Sequence, residues 1–249
     1  MKTVWMVSGN KGGVGKSLFC LALASALESL DELYAVLDGD GRTGDVFSVF
    51  NRKCPARQAD FRKLRPESHM CPYDLEYVEI LHQLLRASNN LIINTPDGAD
   101  NILLEWFDAT LTHTESNNIQ FKFIYLLSDR PDGLDMFNEL AKRFNFLYPI
   151  RNLYFGTESL FTDFNRDYLE KFRVVIDLPV LRNQEVRILF YTKLYPAEAI
   201  RLENGLSKNF KLNTLTRARL ALWQTSVSEI ISDIFENNQS NLVYGKWHK

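Results

Sequence analysis

The chain is poor in the residues that build metal and redox centres. Its three cysteines, Cys20, Cys54 and Cys71, form no Cys-x-x-Cys pair, and His69, His82, His113 and His248 show no metal-ligand spacing. An odd cysteine count without a framework suits a reducing cytosol. No apolar run approaches the roughly 18 residues of a membrane span. Charge of either sign is scarce in excess: the net is −2 and the pI about 6.1, so the overall field does not call for nucleic acid and any such role must rest on local patches. No linker rich in Pro, Gly or Ser divides the 249 residues, no internal repeat is evident, and Asn237–Asn241 is the one short polar tract. The first apolar run starts at Thr3, which predicts no signal peptide.

What is present is 45% hydrophobic content, enough for a sizeable core. Apolar, β-branched runs predict strands at Thr3–Val7, Leu33–Leu37, Leu91–Asn94, Phe121–Leu127, Asn152–Phe155 and Phe172–Ile176. Helical patterns fall at Ser17–Ser29, Leu75–Ala87, Ile102–Leu111, Gly133–Phe144, Gln184–Lys193 and Thr214–Glu236. This alternation predicts an α/β fold, a doubly wound and mostly parallel sheet with helices on both faces. Residues 1–236 read as one domain, with 237–249 as a C-terminal tail. The stretch Arg42–Tyr73, with Pro55, Pro66 and Pro72, reads as a long loop holding at most a short helix. In the last helix Leu215, Ala218, Leu222, Trp223, Val227, Ile230, Ile231 and Ile234 recur at helical spacing and read as core.

The richest segment is Gly9-Asn10-Lys11-Gly12-Gly13-Val14-Gly15-Lys16-Ser17, between the first strand and the first helix. Strand, glycine-rich turn and helix in that order make a phosphate site, because backbone N–H groups of the turn and helix N-terminus point at the anion. Lys16 reaches the β- and γ-phosphates and the Ser17 hydroxyl ligates Mg²⁺. Asn10 stands where the usual pattern has glycine, and Asn tolerates left-handed backbone. The string KGGVGKS, with its early lysine, resembles the deviant Walker A motif of the ParA/MinD family of P-loop ATPases. The resemblance implies ATP or ADP with Mg²⁺, held by residues 10–18, Asn10 through Leu18 (Gly12, Gly13, Val14 and Gly15 among them). It also implies an ATP-dependent homodimer in which Lys11 reaches the nucleotide of the second subunit.

Two further segments fit the resemblance. Asp38-Gly39-Asp40 ends the second strand, where carboxylates point toward phosphates. By that match Asp40 positions the attacking water beside catalytic Lys11 and Lys16, Asp38 supports it and the metal, and Asp45 is a third carboxylate in the same loop. Leu91–Gly98 resembles the Walker B strand and second switch, with a departure: Asn94 stands where the family has Asp. Asn keeps an acceptor oxygen and loses the charge, so the metal set Ser17, Asp38 and Asn94 predicts slow ATP hydrolysis. Asp97, three residues on, is a candidate replacement carboxylate. Pro179, in Ile176–Arg182, loosely matches a family loop beside the adenine, while Gly156-Thr157 stand where a base-specificity motif is expected; adenine rests on the resemblance.

By resemblance the chain is a cytoplasmic switch ATPase, bacterial or plasmid-encoded, that partitions or positions DNA or a conjugation-related assembly with the help of an activating partner protein. The alternatives are a scaffold of the same fold with little or no hydrolysis, and a membrane-positioning ATPase. Relatives that bind DNA do so without sequence preference. Two basic stretches could serve: residues 52–65, with Arg52, Lys53, Arg57, Arg62, Lys63 and Arg65, and residues 208–219, with Lys208, Lys211, Arg217 and Arg219. Arg217 and Arg219 fall in the first turns of a helix, where the macrodipole disfavours cations, so an anionic partner would offset the cost. Cys54 and Cys71 lack the context of iron-protein relatives, and Tyr244 stands alone where tyrosine-kinase relatives carry a cluster. The tail Leu242–Lys249 is apolar and basic, with Trp247, but Gly245 and its short length argue against a membrane helix.

Overall fold

The computed structural model describes residues 2–9, 11–63, 72–97, 119–131, 134–202, 212–236 and 241, with backbone alone for 63 and 72–78. Seven parallel strands form one sheet in the order β3-β2-β4-β1-β5-β6-β7. The strands are β1 Lys2–Gly9, β2 Tyr34–Asp38, β3 Ala56–Gln58, β4 Asn90–Asn94, β5 Ile119–Leu127, β6 Leu147–Asn152 and β7 Ile176–Leu178. Described helices are α1 Lys16–Ser29, α2 Asp45–Phe50, α3 Pro72–Ala87, α4 Leu134–Arg143, α5 Thr162–Tyr168, α6 Asn183–Thr192, α7 Pro196–Arg201 and α8 Thr214–Glu236. After β1 the chain moves to one side of the sheet and after β4 to the other. The carboxyl end of β1 is therefore the switch point where such sheets bind ligands.

The pleat of β1 divides the core. Trp5 and Val7 join one cluster with α1 and α8, and Val4 and Met6 join the other with β2, α3 and α4. Phe19 to Leu27 of α1 are buried without a break, because the helix lies between the sheet and α7 and α8. Each buried Leu or Phe there contributes about 1.5–3 kcal/mol, which holds the P-loop's helix rigidly under the site.

Several sequence expectations are corrected. The strand expected at Asn152–Phe155 is the end of β6 plus a 3-10 turn at Leu153–Phe155. Asn152 Oδ1 accepts the Tyr154 N–H at 3.0 Å and stops the strand. β7 begins at Ile176, not Phe172, because residues 173–174 bond to Asn241 instead. Arg173 N–H donates to Asn241 O at 2.8 Å and Val174 N–H to Asn241 Oδ1 at 2.9 Å. Buried Asn241 also donates to Leu147 O and Val174 O, so a residue of the tail segment closes this corner. The expected long loop after residue 42 contains α2 and the edge strand β3. In α8, Leu215, Ala218 and Leu222 face solvent, with Leu222 72% exposed. The buried side instead carries Thr216, Leu220, Trp223, Gln224, Val227, Ile231 and Ile234. Gln224 Nε2 donates to Ala22 O at 3.2 Å, which fixes the helix rotation against α1. The helix expected at Ile102–Leu111 lies outside the described residues. No helix among the described residues is long and apolar enough to cross a membrane.

Candidate functional site

The turn after β1 is built around two left-handed glycines, Gly13 (φ 75°) and Gly15 (φ 102°). Gly9 is equally constrained by space: a Cβ there would lie 2.6 Å from Val14 Cγ1 and 2.9 Å from Leu126 O. Asn10 lies outside the described residues. Gly15 caps α1 with its carbonyl, which accepts the Phe19 N–H at 2.9 Å. The first-turn N–H groups of a helix have no partner within it, and the first-turn residues Lys16, Ser17 and Leu18 line the cleft. Val14 is fully buried, and its carbonyl accepts Asn152 Nδ2 at 2.9 Å, tying the loop to β6.

Lys16 is 8% exposed, and its Nζ donates to Lys11 O at 3.0 Å. The same ammonium forms an ion pair with Asp97. Lys11 Nζ stands 5.7 Å from the centre of the Phe155 ring.

The carboxylates of the second strand have different fates. Asp38 is fully buried and accepts Phe47 N–H at 2.9 Å, Asn94 Nδ2 at 2.9 Å and Asp40 N–H at 3.1 Å. Burial pushes its carboxyl above the ordinary range, against the pull of those hydrogen bonds. Asn94 turns its amide nitrogen to Asp38, and its Oδ1 lies 3.8 Å from the Cys20 thiol. Burial, then the nearby Asp38, hold that thiol well above the usual range, so Cys20 is inert. Asp40 is opened to the cleft. Partial burial raises its carboxyl, but hydrogen bonds from Arg42 N–H, from Arg62 at 2.7 Å and from Thr43 Oγ1 outweigh it and leave the group lowered. Burial and Asp40 push Asp45 up.

These parts open on one cleft of about 340 Å³, with Ser17, Asp40, Asn94 and Asp97 at the loop end and Tyr154 and Pro179 at the other. Pro179 is tied to α8, since Trp223 Nε1 donates to its carbonyl at 2.8 Å. Tyr154 OH accepts Asn183 Nδ2 at 3.1 Å. Of the residues singled out in the sequence, Gly13, Gly15, Lys16, Ser17, Leu18, Asp40, Asn94 and Pro179 line this cleft, while Val14 and Asp38 are fully buried and Lys11 and Gly12 are not part of its lining.

No protein-family model matches the chain, and no curated protein sequence matches it. Solved structures do. A chain of the MinC:MinD cell division protein complex of Aquifex aeolicus aligns over 96% of this chain and 97% of that one, at 11% identity and a TM-score of 0.54. Cobyrinic acid a,c-diamide synthase of Mycobacterium smegmatis, solved with ADP and magnesium, aligns over 98% and 100% at 13% identity and a TM-score of 0.52. A proposed plasmid partition protein of Borrelia burgdorferi B31, bound to AMPPNP, aligns over 94% and 97% at 16% identity and a TM-score of 0.50. The chain shares its fold with these proteins. At these identities the likeness is one of fold.

In this fold the basic stretches are less free than their sequence suggests. Arg62 pairs with Asp40 at 2.7 Å and Asp60 at 3.1 Å. Lys53 pairs with Glu198 and donates to Lys193 O. Arg219 pairs at 2.8 Å with Glu185, a carboxylate with no side-chain exposure, and Arg217 donates to Leu202 O. Near the start of α8, Arg219 is thus offset inside the protein by Glu185, and Arg217 is held by a carbonyl. Arg52 and Arg57 are exposed; Arg65, Lys208 and Lys211 lie outside the described residues, as do Gly98 and the tail 242–249. Among the described residues no three His, Cys, Asp or Glu side chains cluster as a ready-made metal cage.

Sequence reasoning missed Asn152, Tyr154, Asn183 and Arg62. Asn152 carried a usable signal, a polar residue at a strand's carboxyl end. The others had none, because their places depend on how loops cross the sheet edge.

Proposed function

We propose that this chain is an ATP-dependent switch of the ParA/MinD type, which binds ATP or ADP with Mg²⁺ and dimerises around the nucleotide. One observation carries the reading: buried Lys16 presents its ammonium beside left-handed Gly13 and Gly15 at the mouth of a cleft at the sheet's switch point. The site fits a polyphosphate. An anionic oxygen, Asp97 Oδ2, already lies over Gly12, where a Cβ would come within 2.4 Å of it.

In this reading the backbone N–H groups of residues 12–16 and the Lys16 ammonium hold the phosphates. Tyr154, Pro179 and Asn183 flank the base. Ser17 would hold Mg²⁺ directly, with Asp38 and Asn94 acting from behind through water. Bound there, the metal would neutralise phosphate charge in the loose transition state of phosphoryl transfer. Asp40, held ionised by Arg62, orients the attacking water. Lys11 acts across the dimer; its contact with Phe155 is a weak cation–π interaction, readily exchanged for a phosphate. The output is a change of assembly state that positions a cargo, DNA or a conjugation-related assembly, with a partner protein setting the rate. Exposed Arg52 and Arg57 are what support DNA.

Asn94 favours a second reading, a nucleotide-binding scaffold with little or no hydrolysis. Its amide nitrogen is spent on Asp38, and no carboxylate stands at that position. Steady-state phosphate release with Lys16→Ala as control separates the two. Turnover above the control supports the enzyme; turnover equal to it leaves the scaffold. Sedimentation velocity with ATP, on wild type and Lys11→Ala, tests dimerisation: an ATP-dependent dimer lost in the variant is the expected result.

A further inference from the structure

Asp97 stands just beyond β4 and pairs with Lys16, a contact that neither the glycine pattern nor Asp38 and Asp40 account for. It does not hang on a loose arm. β4 ends at Asn94, and the next residue is pinned: Thr95 N–H and Oγ1 both donate to Val7 O, at 3.1 and 3.0 Å. Pro96 is buried. This two-residue pedestal projects the Asp97 side chain, 51% exposed, onto the phosphate loop. One carboxylate oxygen pairs with the Lys16 ammonium, and the other lies against Gly12. A carboxylate thus occupies the place built for a phosphate, on the same lysine.

We infer that Asp97 is a specificity-determining residue, which makes the P-loop select metal-bound nucleotide over free nucleotide. The inference rests on the nucleotide reading above. The physical reason is charge. A phosphate that enters takes Lys16 away from Asp97 and leaves the carboxylate facing the phosphate oxygens. Two anions at contact distance in a partly dry cleft repel. A divalent cation bound with the nucleotide supplies the positive charge that Lys16 no longer gives to Asp97, so the metal complex escapes the penalty. Free nucleotide does not. The carboxylate also acts before any ligand arrives, as an internal competitor for Lys16.

The test is ADP affinity by titration calorimetry, with Mg²⁺ and with EDTA, for wild type, Asp97→Asn and Asp97→Ala, with Lys16→Ala as control and thermal unfolding as the check on folding. The expected result is that both Asp97 variants bind ADP about tenfold more tightly than wild type in EDTA. In Mg²⁺ the gain is under about threefold, so selectivity for the metal complex collapses. Binding by the variants alone in EDTA also supports the inference. Equal affinities for wild type and variants in EDTA overturn it while leaving the nucleotide reading intact. Weaker binding by the variants in both buffers overturns it too, since Asp97 would then be a direct ligand contact. No ADP binding by wild type or either variant, in either buffer, removes the nucleotide reading and this inference with it.

Discussion

Asn94 donates its side-chain amide to Asp38 Oδ1 across 2.9 Å, between two residues that are both almost fully buried. An ionised carboxylate can only accept, so the amide must turn its nitrogen that way. The pair locks the ends of β4 and β2 side by side under the cleft. Residue 94 therefore brings a donor to Asp38 and adds no second negative charge there.

Asn94→Asp should reverse both effects. A second buried carboxylate beside Asp38 replaces a donor with a like charge, at a cost of about 1–3 kcal/mol without ligand. Thermal unfolding checks the loss. Added Mg²⁺ with ADP should recover more stability in the variant than in wild type. Equal stabilisation of the two would show that residue 94 is remote from the metal.

Lys16→Ala should abolish the rise in unfolding temperature that ADP gives the wild type. The ammonium is the buried cation of the cleft, and Asp97, half-exposed, loses only a weak surface partner, so the variant itself should stay folded to within about 1 kcal/mol. An ADP-induced shift that survives the substitution would place the ligand elsewhere.

Arg219→Ala should destabilise the chain by about 3–5 kcal/mol, because it strands the buried carboxylate of Glu185. Arg52→Ala, at an exposed position, should change stability by less than about 0.5 kcal/mol. Retention of nonspecific duplex DNA, measured at rising salt, should weaken in the second variant if DNA is the cargo. Full stability of Arg219→Ala would return that arginine to the pool of free basic residues.

Lys122 gives a pH signature. It is buried in β5, donates to Phe235 O at 2.9 Å and to Ile234 O at 2.5 Å at the end of α8, and lies 5.3 Å from the Trp5 ring centre. Burial pushes its ammonium down from 10.5 to about 8. Between those values the unfolded chain binds a proton that the folded one has shed, so stability rises with pH through the window, by on the order of 1–3 kcal/mol. Denaturant unfolding from pH 8 to 10 should show this rise in wild type. Lys122→Met should be flat by comparison, and a parallel rise in the variant would assign the effect to other groups.

Strands β1, β2, β4 and β5 were legible to within two residues at each start, because near-continuous apolar runs buried on both faces leave little else possible. β6 and β7 were not. The run at 152–155 begins with a polar cap, Asn152, that ends the strand before it, and residues 173–174 are held by Asn241, far along the chain. The exposed side of α8 misled for a similar reason. A stripe of apolar residues at helical spacing shows that a face is buried, but Gln224 against Ala22 decides which one. Of the cleft's lining, Lys16, Ser17 and Asp40 stand in motifs visible in the sequence; Tyr154 and Asn183 do not, since each matters only through the cleft that the folded loops enclose.

The sequence by itself determined that a strand, a left-handed glycine turn and a helix would form a phosphate cradle with Lys16 in it. That geometry is local, and contiguous residues with the right backbone freedom suffice to make it. Only the tertiary structure decided which charges around the cradle are free. Asn94 finds Asp38 across 56 positions, and Asp97 finds Lys16 across 81. Arg62 is taken by Asp40 and Arg219 by Glu185. A charge's partner is set by which strand ends meet at the switch point, and the order of strands in the sheet is not the order of strands in the chain.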